Sequence, residues 1–161
     1  MSGTPDAPHA APPAVSGTVL AFDFGTRKIG VALGNTITGT ARALATLRAD
    51  AVATRMAALE TVVDEWQPAL IVVGRPLHAD GSEHAVTALA DQFARQLRAR
   101  FGVPVEQIDE RYTTQVAQLT HRDRRSKPGG DPGRDAVAAQ IILQAWLDAR
   151  SRNSAFASPG R

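Results

Sequence analysis

The segment 18–35 constrains the fold most. TVLAFDFG, 18–25, runs apolar apart from its first residue, one aspartate and its closing glycine, and KIGVALGN, 28–35, is a second apolar run of strand length. Separated by Gly25-Thr26-Arg27, the two read as an antiparallel hairpin inside a buried sheet. Gly25 permits the tight turn. Asp23, between Phe22 and Phe24, is unusual in such a strand, because an unpaired buried carboxylate is costly.

The remaining elements follow from periodicity. GTARALATL, 39–47, reads as a third strand, although its Ala and Leu also suit a helix. Asp50 is placed to cap a helix to Glu65, with Val52, Met56, Leu59, Val62 and Val63 at helical spacing. Pro68 ends it. ALIVVG, 69–74, has the unbroken apolar character of a central parallel strand. After a loop over 75–82, a helix from Ser82 to Arg100 aligns Val86, Leu89, Phe93 and Leu97 on one face. VPVEQID, 103–109, is the next strand. Thr113 or Thr114 caps a helix to His121, a Gly- and Pro-rich loop spans 122–133, and a last helix, Arg134 to Ala149, turns Val137, Ile141, Ile142 and Leu147 inward. An antiparallel start followed by α/β crossovers predicts an α/β fold: a mixed five-stranded sheet with helices on its faces. The folded domain is expected over 17–149, between disordered tails at 1–16 and 150–161. A chain of 161 residues suits one such domain.

Composition narrows the chemistry. There is no cysteine, so disulfides and thiolate metal sites are excluded, and a metal would take oxygen or imidazole ligands. No apolar run is long enough to span a bilayer, and residues 1–16 lack the pattern of a signal peptide; a soluble, cytoplasmic protein without membrane contact is expected. The formal net charge is only +2, but sixteen of the eighteen cations are Arg, with Lys at 28 and 127. Arg suits bidentate phosphate contacts. A GC-rich genome would produce the same bias.

Three acids sit at element ends: Asp23 in the first strand, Glu110 immediately after the strand VPVEQID, and Asp135 opening the last helix. Taken singly, each has a structural explanation: a turn former, a salt bridge with Arg111, a helix N-terminal acid. Taken together, they converge if the first and fifth strands lie side by side. Converging carboxylates repel and require cations. Two Mg²⁺ or Mn²⁺ ions about 3.5–4 Å apart would satisfy them and could activate water against a phosphodiester.

Four ordered blocks, AFDFGTRKIGVALGN at 21–35, IVVGRPLHADGSE at 71–83, VEQIDERYTT at 105–114 and DAVAAQIILQAWL at 135–147, resemble the YqgF/RuvX family, described as pre-16S rRNA nucleases and as Holliday-junction resolvases. The resemblance covers nearly all of 18–149. It implies a ribonuclease-H-like fold and places Asp23, Glu110 and Asp135 on the family's acidic positions, as catalytic residues and metal ligands. The chain departs from the usual family pattern in having Arg27-Lys28 for Lys-Arg, Gly34-Asn35 for Ser-Asp, and Gly74-Arg75-Pro76 for Gly-Leu-Pro.

The resemblance implies a metal-dependent hydrolase acting on nucleic acid, with ribosome biogenesis and rRNA processing, at the 5′ end of pre-16S rRNA, as its setting. Branched DNA is the alternative substrate, and a homodimer would suit that activity. A non-catalytic nucleic-acid-binding module is disfavoured, since a phosphate binder gains nothing from three converging negative charges. A nucleotide-binding protein of the actin-like group, suggested by the hairpin DFGTRKIG, needs two lobes in a chain that is short for both.

Substrate contacts are expected from Arg27, Lys28 and Arg75, and from Arg124, Arg125 and Lys127 in the basic stretch HRDRRSKPGGDPGR, 121–134. In the loop at 75–82, His78 and Ser82 are expected to face substrate. No acid–base role is assigned to His78, His84 or His121. Trp66 and Trp146 lie in helical patterns and read as core or interface.

Overall fold

The computed structural model describes residues 17–113 and 133–157. Its elements run β1 (Thr18–Phe24), β2 (Lys28–Asn35), β3 (Thr40–Arg48), α1 (Val52–Trp66), β4 (Leu70–Arg75), α2 (Ala85–Phe101), β5 (Val105–Asp109), a 3₁₀ turn (Glu110–Thr113) and α3 (Arg134–Ala157). The expected tail 1–16, the expected helix beyond Thr113 and the basic cluster Arg124, Arg125 and Lys127 lie outside the described residues.

The five strands form one mixed sheet in the order β3-β2-β1-β4-β5. The β1–β2–β3 meander is antiparallel, and β4 and β5 add in parallel to β1. The hairpin turns at Gly25-Thr26-Arg27 as predicted, and the segment expected around 39–47 is strand β3, Thr40–Arg48. The β-branched and leucine-rich rows of the sheet outweigh the helix propensity of its Ala and Leu.

Two hydrophobic clusters lie on opposite faces. Leu20, Phe22, Ile29, Val31, Ile71 and Val73 pack with α1 and α2 residues such as Leu59, Phe93 and Leu97. Val19, Ala21, Ala32, Leu70 and Val72 pack with Ala139, Ile142, Leu143 and Trp146 of α3. Trp146 is buried and its indole N–H donates to Glu106 at 2.9 Å. Half-buried Trp66 packs on the α1/α2 core under the Arg42 guanidinium.

Four local expectations are corrected. Asp50 does not cap α1. The N-cap is Ala51, with no side-chain cap bond, and Asp50 stands exposed beside Arg48. Gln67, in left-handed conformation at φ 45°, closes α1 before Pro68. Helix α2 begins at Ala85 rather than Ser82, because His84 accepts from the Val86 amide and Thr87 bonds back to the His84 amide. Helix α3 continues to Ala157, through residues read as tail from their polar sequence. Finally, two apolar positions expected inward are not: Val52 is 58% exposed and Leu89 is 40% exposed. Each forgoes part of the roughly 1.5–3 kcal/mol that full burial of such a side chain would contribute.

Candidate active site

Alternation along β1 sends Val19, Ala21 and Asp23 to the α3 face, and Leu20, Phe22 and Phe24 to the other. Across the hairpin the register partner of Asp23 is Gly30. On its other side the β1–β4 register runs through Phe22–Val73, so the next step sets Asp23 beside Gly74. Asp23 is therefore flanked on both neighbouring strands by residues without side chains.

Each glycine makes room for another acid. A Cβ added at Gly30 would lie 1.8 Å from the backbone oxygen of Asp135 and 2.9 Å from the Ala136 nitrogen. The first turn of α3 thus rests directly on β2 beside Asp23. A Cβ at Gly74 would lie 2.5 Å from Glu110 Oε2 and 2.7 Å from Ile142 Cδ1. Glu110, arriving from the end of β5, leans over β4 through the space that Gly74 leaves. This corrects the expected adjacency of the first and fifth strands: β4 lies between them, and a glycine on the intervening strand lets the carboxylate cross it.

The electrostatics match this crowding. The Asp23 carboxyl is pushed from its ordinary 3.8 up to about 7, mainly by desolvation and then by the charges of Glu110 and Asp135. Glu110 is also raised, by desolvation first and by Asp109 second. Within Asp109-Glu110-Arg111 the roles are divided. Arg111 makes a forked contact with Asp109, its Nη2 at 2.6 Å from Oδ2, and this holds the Asp109 carboxyl low. The sequence alternative, a Glu110–Arg111 salt bridge, gives way to this pair.

Among the described residues no three His, Asp or Glu side chains come together closely enough to ligate one ion. Glu110 and Asp135 both lie close enough to Asp23 for their charges to act on its carboxyl. Their donor set is all oxygen, which fits Mg²⁺ or Mn²⁺, and a cation would favour the ionised Asp23 against the burial and the repulsion that raise its pKa.

The predicted cations fall into three groups. Arg27 and Lys28 are exposed on the turn that follows Asp23. Arg75, at the end of β4, is committed to neighbours: it grips Asp91 through Nε and Nη2 at 2.9 and 3.0 Å and reaches Glu83 at 2.8 Å. Gln107 donates to the same Asp91, so Arg75 ties β4, α2 and β5 together below the loop. Arg124, Arg125 and Lys127 are outside the described residues. In the loop itself the Ser82 hydroxyl is bonded to Asp80 at 2.6 Å, and the His78 ring lies 4.7 Å from that of His84, the cap of α2. Gly81, at φ 91°, passes under the Arg111 guanidinium.

Sequence reading missed Gly30 and gave Gly74 only a turn role. The available signal was a glycine inside an apolar strand, which marks close approach of another backbone.

The comparisons with known proteins agree with this architecture. The family model described as "RuvX: Holliday junction resolvase" matches residues 17–149. A protein of Chromobacterium violaceum named "Putative pre-16S rRNA nuclease" is 46% identical over 131 residues, 80% of this chain and 96% of its own length. A protein of the same name from Dechloromonas aromatica is 47% identical over 133 residues, 82% of this chain and 91% of its own. Among solved structures, Thermus thermophilus RuvC in complex with a Holliday junction substrate superposes with a TM-score of 0.57 at 19% identity, covering 83% of this chain and 95% of that one. The yeast mitochondrial Holliday junction resolvase Ydc2 gives 0.57 at 7% identity, covering 91% and 84%. At such identities the likeness is one of fold, the ribonuclease-H-like sheet of the resolvases. With the family model spanning 17–149 and relatives at this identity over most of their length, the chain belongs to the RuvX family.

Proposed function

We propose that this chain is a hydrolytic nuclease that cuts a phosphodiester backbone in precursor 16S rRNA, with Asp23, Glu110 and Asp135 as its catalytic carboxylates. The observation that carries the reading is the pair of glycines beside Asp23, which admit Asp135 over β2 and Glu110 over β4. A fold with no use for converging acids would fill those positions with side chains, since packed apolar rows are worth more than crowded charge.

The same three carboxylates would hold Mg²⁺ or Mn²⁺. Such ions supply a water activated at neutral pH and positive charge for the scissile phosphate. The protein's own groups do the rest. Asp23 is fixed by the sheet, Asp135 by the first turn of α3, and Glu110 by the 3₁₀ turn after β5, so the three acids sit on rigid elements rather than on loops. Arg27 and Lys28 offer positive charge to a backbone approaching the carboxyl ends of β1 and β4. Arg124, Arg125 and Lys127 are assigned the same task from sequence. Arg75 is read as organising the 76–84 loop from below. No described helix is long and apolar enough to cross a membrane, and the proposed setting is the cytoplasm.

Branched DNA is the second reading. It draws on the family description and on the fold shared with resolvases, and it calls for a homodimer making paired cuts. The relatives' rRNA nuclease name favours the first reading. The deciding experiment sets a precursor-rRNA fragment beside a four-way DNA junction, with Mg²⁺ or Mn²⁺, using the purified protein and its Asp23→Asn variant. Cleavage of the RNA by wild type alone is expected. Cleavage of the junction alone would transfer the function to DNA, and equal activity of Asp23→Asn would remove the acids from the chemistry.

A further inference from the structure

A cleft of about 250 Å³ opens on the α1/α2 face of the sheet, lined by Phe24, Val52, Arg55, Leu89, Phe93 and Gln92, with Asp50 and Thr26 at its rim. Three independent features mark it. The two apolar residues that helical periodicity would bury, Val52 and Leu89, both stand exposed on its walls. The Arg55 guanidinium lies 5.6 Å over the Phe24 ring and 6.0 Å from that of Phe93. Arg55 Nε is buried against these rings and has no hydrogen-bond partner among the described residues, so the Nη groups are the donors that a ligand in the cleft would meet.

The position is informative. Phe24 follows Asp23 directly in β1 and points to the opposite face. The cleft and the acids therefore lie on opposite faces of the sheet at the same end of β1. The turn carrying Arg27 and Lys28 lies between them.

We propose that this cleft receives one unstacked nucleobase of the substrate strand, and that it prefers guanine to adenine. The inference rests on the nuclease reading for its source of ligand, and on the cleft for its chemistry. The exposed Val52 and Leu89 side chains form an apolar wall for the face of a splayed base, and the guanidinium, held flat on the Phe24 ring, turns its edge toward the base. Arg55 presents donors, which match the O6 and N7 acceptors of guanine and oppose the N6 amino group of adenine. Asp50, at the rim, accepts from the N1 and N2 protons on the other edge of guanine.

The test is binding without turnover. Fluorescein-labelled oligouridylates carrying a single central guanosine or adenosine are titrated by anisotropy in EDTA, against wild type, Leu89→Trp and Arg55→Lys. Leu89→Trp fills the slot from an exposed position, so the fold is spared; circular dichroism melting checks this. About tenfold weaker binding of the guanosine oligomer is expected for Leu89→Trp. Arg55→Lys should keep the charge but abolish the guanosine preference. Unchanged affinity in Leu89→Trp, equal binding of the two oligomers by wild type, or no binding at all would overturn the proposal. Wild type and Leu89→Trp are also assayed at saturating precursor RNA with Mn²⁺. Turnover with an indifferent cleft sinks this inference alone, whereas absence of turnover in wild type sinks the nuclease reading.

Discussion

The two faces of the sheet are built from the same strands and end in opposite chemistry. On the α3 face β1 presents Val19, Ala21 and Asp23, and β2 presents Ala32 and Gly30; on the other it presents Leu20, Phe22 and Phe24, with Ile29 and Val31. Small residues let a single helix come so close that its backbone rests on Gly30. Large ones hold two helices further off and leave a slot at the edge, with Arg55 over aromatic rings. Period-two alternation thus lets one strand bring carboxylates to one face and an aromatic ring to the other, one residue apart. Closeness is what fixes the acids, and looser covering is what leaves a cleft.

The most direct way to break the comparison is to neutralise the acidic face. Asp23→Asn, Glu110→Gln and Asp135→Asn should each reduce cleavage to background, while far-ultraviolet circular dichroism stays native. Wild-type turnover in the three acid variants would remove the assignment. Activity should also require Mg²⁺ or Mn²⁺, with Ca²⁺ a poor substitute because its larger, irregular shell misplaces the attacking water. Full cleavage in excess EDTA would contradict this.

The glycines give the next largest effects, and they should differ in kind. At Gly30 the atom that an added Cβ meets is backbone, 1.8 Å away. It cannot yield without lifting α3 from the sheet, so Gly30→Ala should lose stability by at least the 1–3 kcal/mol typical of overpacking. At Gly74 the nearest atom is the end of the Glu110 side chain, at 2.5 Å, with the Ile142 methyl next. Those groups can move, so Gly74→Ala should fold with a smaller penalty but lose most of its cleavage. Urea unfolding alongside turnover separates the two, and equal stability of both variants would refute the close approach of α3.

Much of this architecture was legible in the sequence, and the failures share a cause. Hairpin, strand order of appearance and helix-forming segments followed from period-two and period-3.6 patterns, and the three acids stood out as charges at element ends. Which strands are neighbours is not encoded in local periodicity. Placing the first and fifth side by side overlooked β4, and the role of Gly74 with it. Helical spacing puts Val52 and Leu89 on the inward face, but a single helix cannot show whether a neighbour covers its first turn. The ion pairs of Arg75 with Asp91 and Glu83 were likewise beyond local pattern, because they depend on α2 lying alongside, which only the fold supplies.

A smaller, continuous effect is the pH dependence of the cation-free protein. The Asp23 carboxyl titrates near 7 in the folded state against 3.8 ordinarily. The unfolded chain therefore releases its proton first as pH rises, and the folded state loses stability between about pH 4 and pH 7, then levels off. At about 1.4 kcal/mol per pH unit the cost reaches a few kcal/mol. Glu110, also raised, adds in the same direction. In EDTA, Asp23→Asn should melt higher than wild type at pH 8 and close to it at pH 4. Adding Mg²⁺ should raise the wild-type melting temperature at pH 8, since the ion binds the ionised carboxylates. A wild-type melting temperature that rises from pH 4 to 7 in EDTA would show that the acids do not crowd.

The smallest effect concerns the cations and sharpens which part of the edge meets phosphate. Arg75 is held by two carboxylates and is only partly exposed, whereas Arg27 and Lys28 are exposed and enter no ion pair among the described residues. A guanidinium already neutralised releases no counterion when substrate arrives. Each cation that does neutralise a phosphate releases about 0.7–0.9 of one, depending on strandedness. Replacing Arg27 and Lys28 together by Ala should therefore flatten the plot of log affinity against log salt by roughly one and a half units if both touch phosphate. Replacing Arg124, Arg125 and Lys127 should flatten it by roughly two to three units. Arg75→Ala should leave the slope unchanged. It should instead lower the melting temperature, because Asp91 loses the partner that holds its carboxyl low. Filter binding across a salt series in EDTA measures all three. A slope that falls for Arg75→Ala as much as for Arg27 and Lys28 would make Arg75 a phosphate ligand that leaves its carboxylate partners on binding.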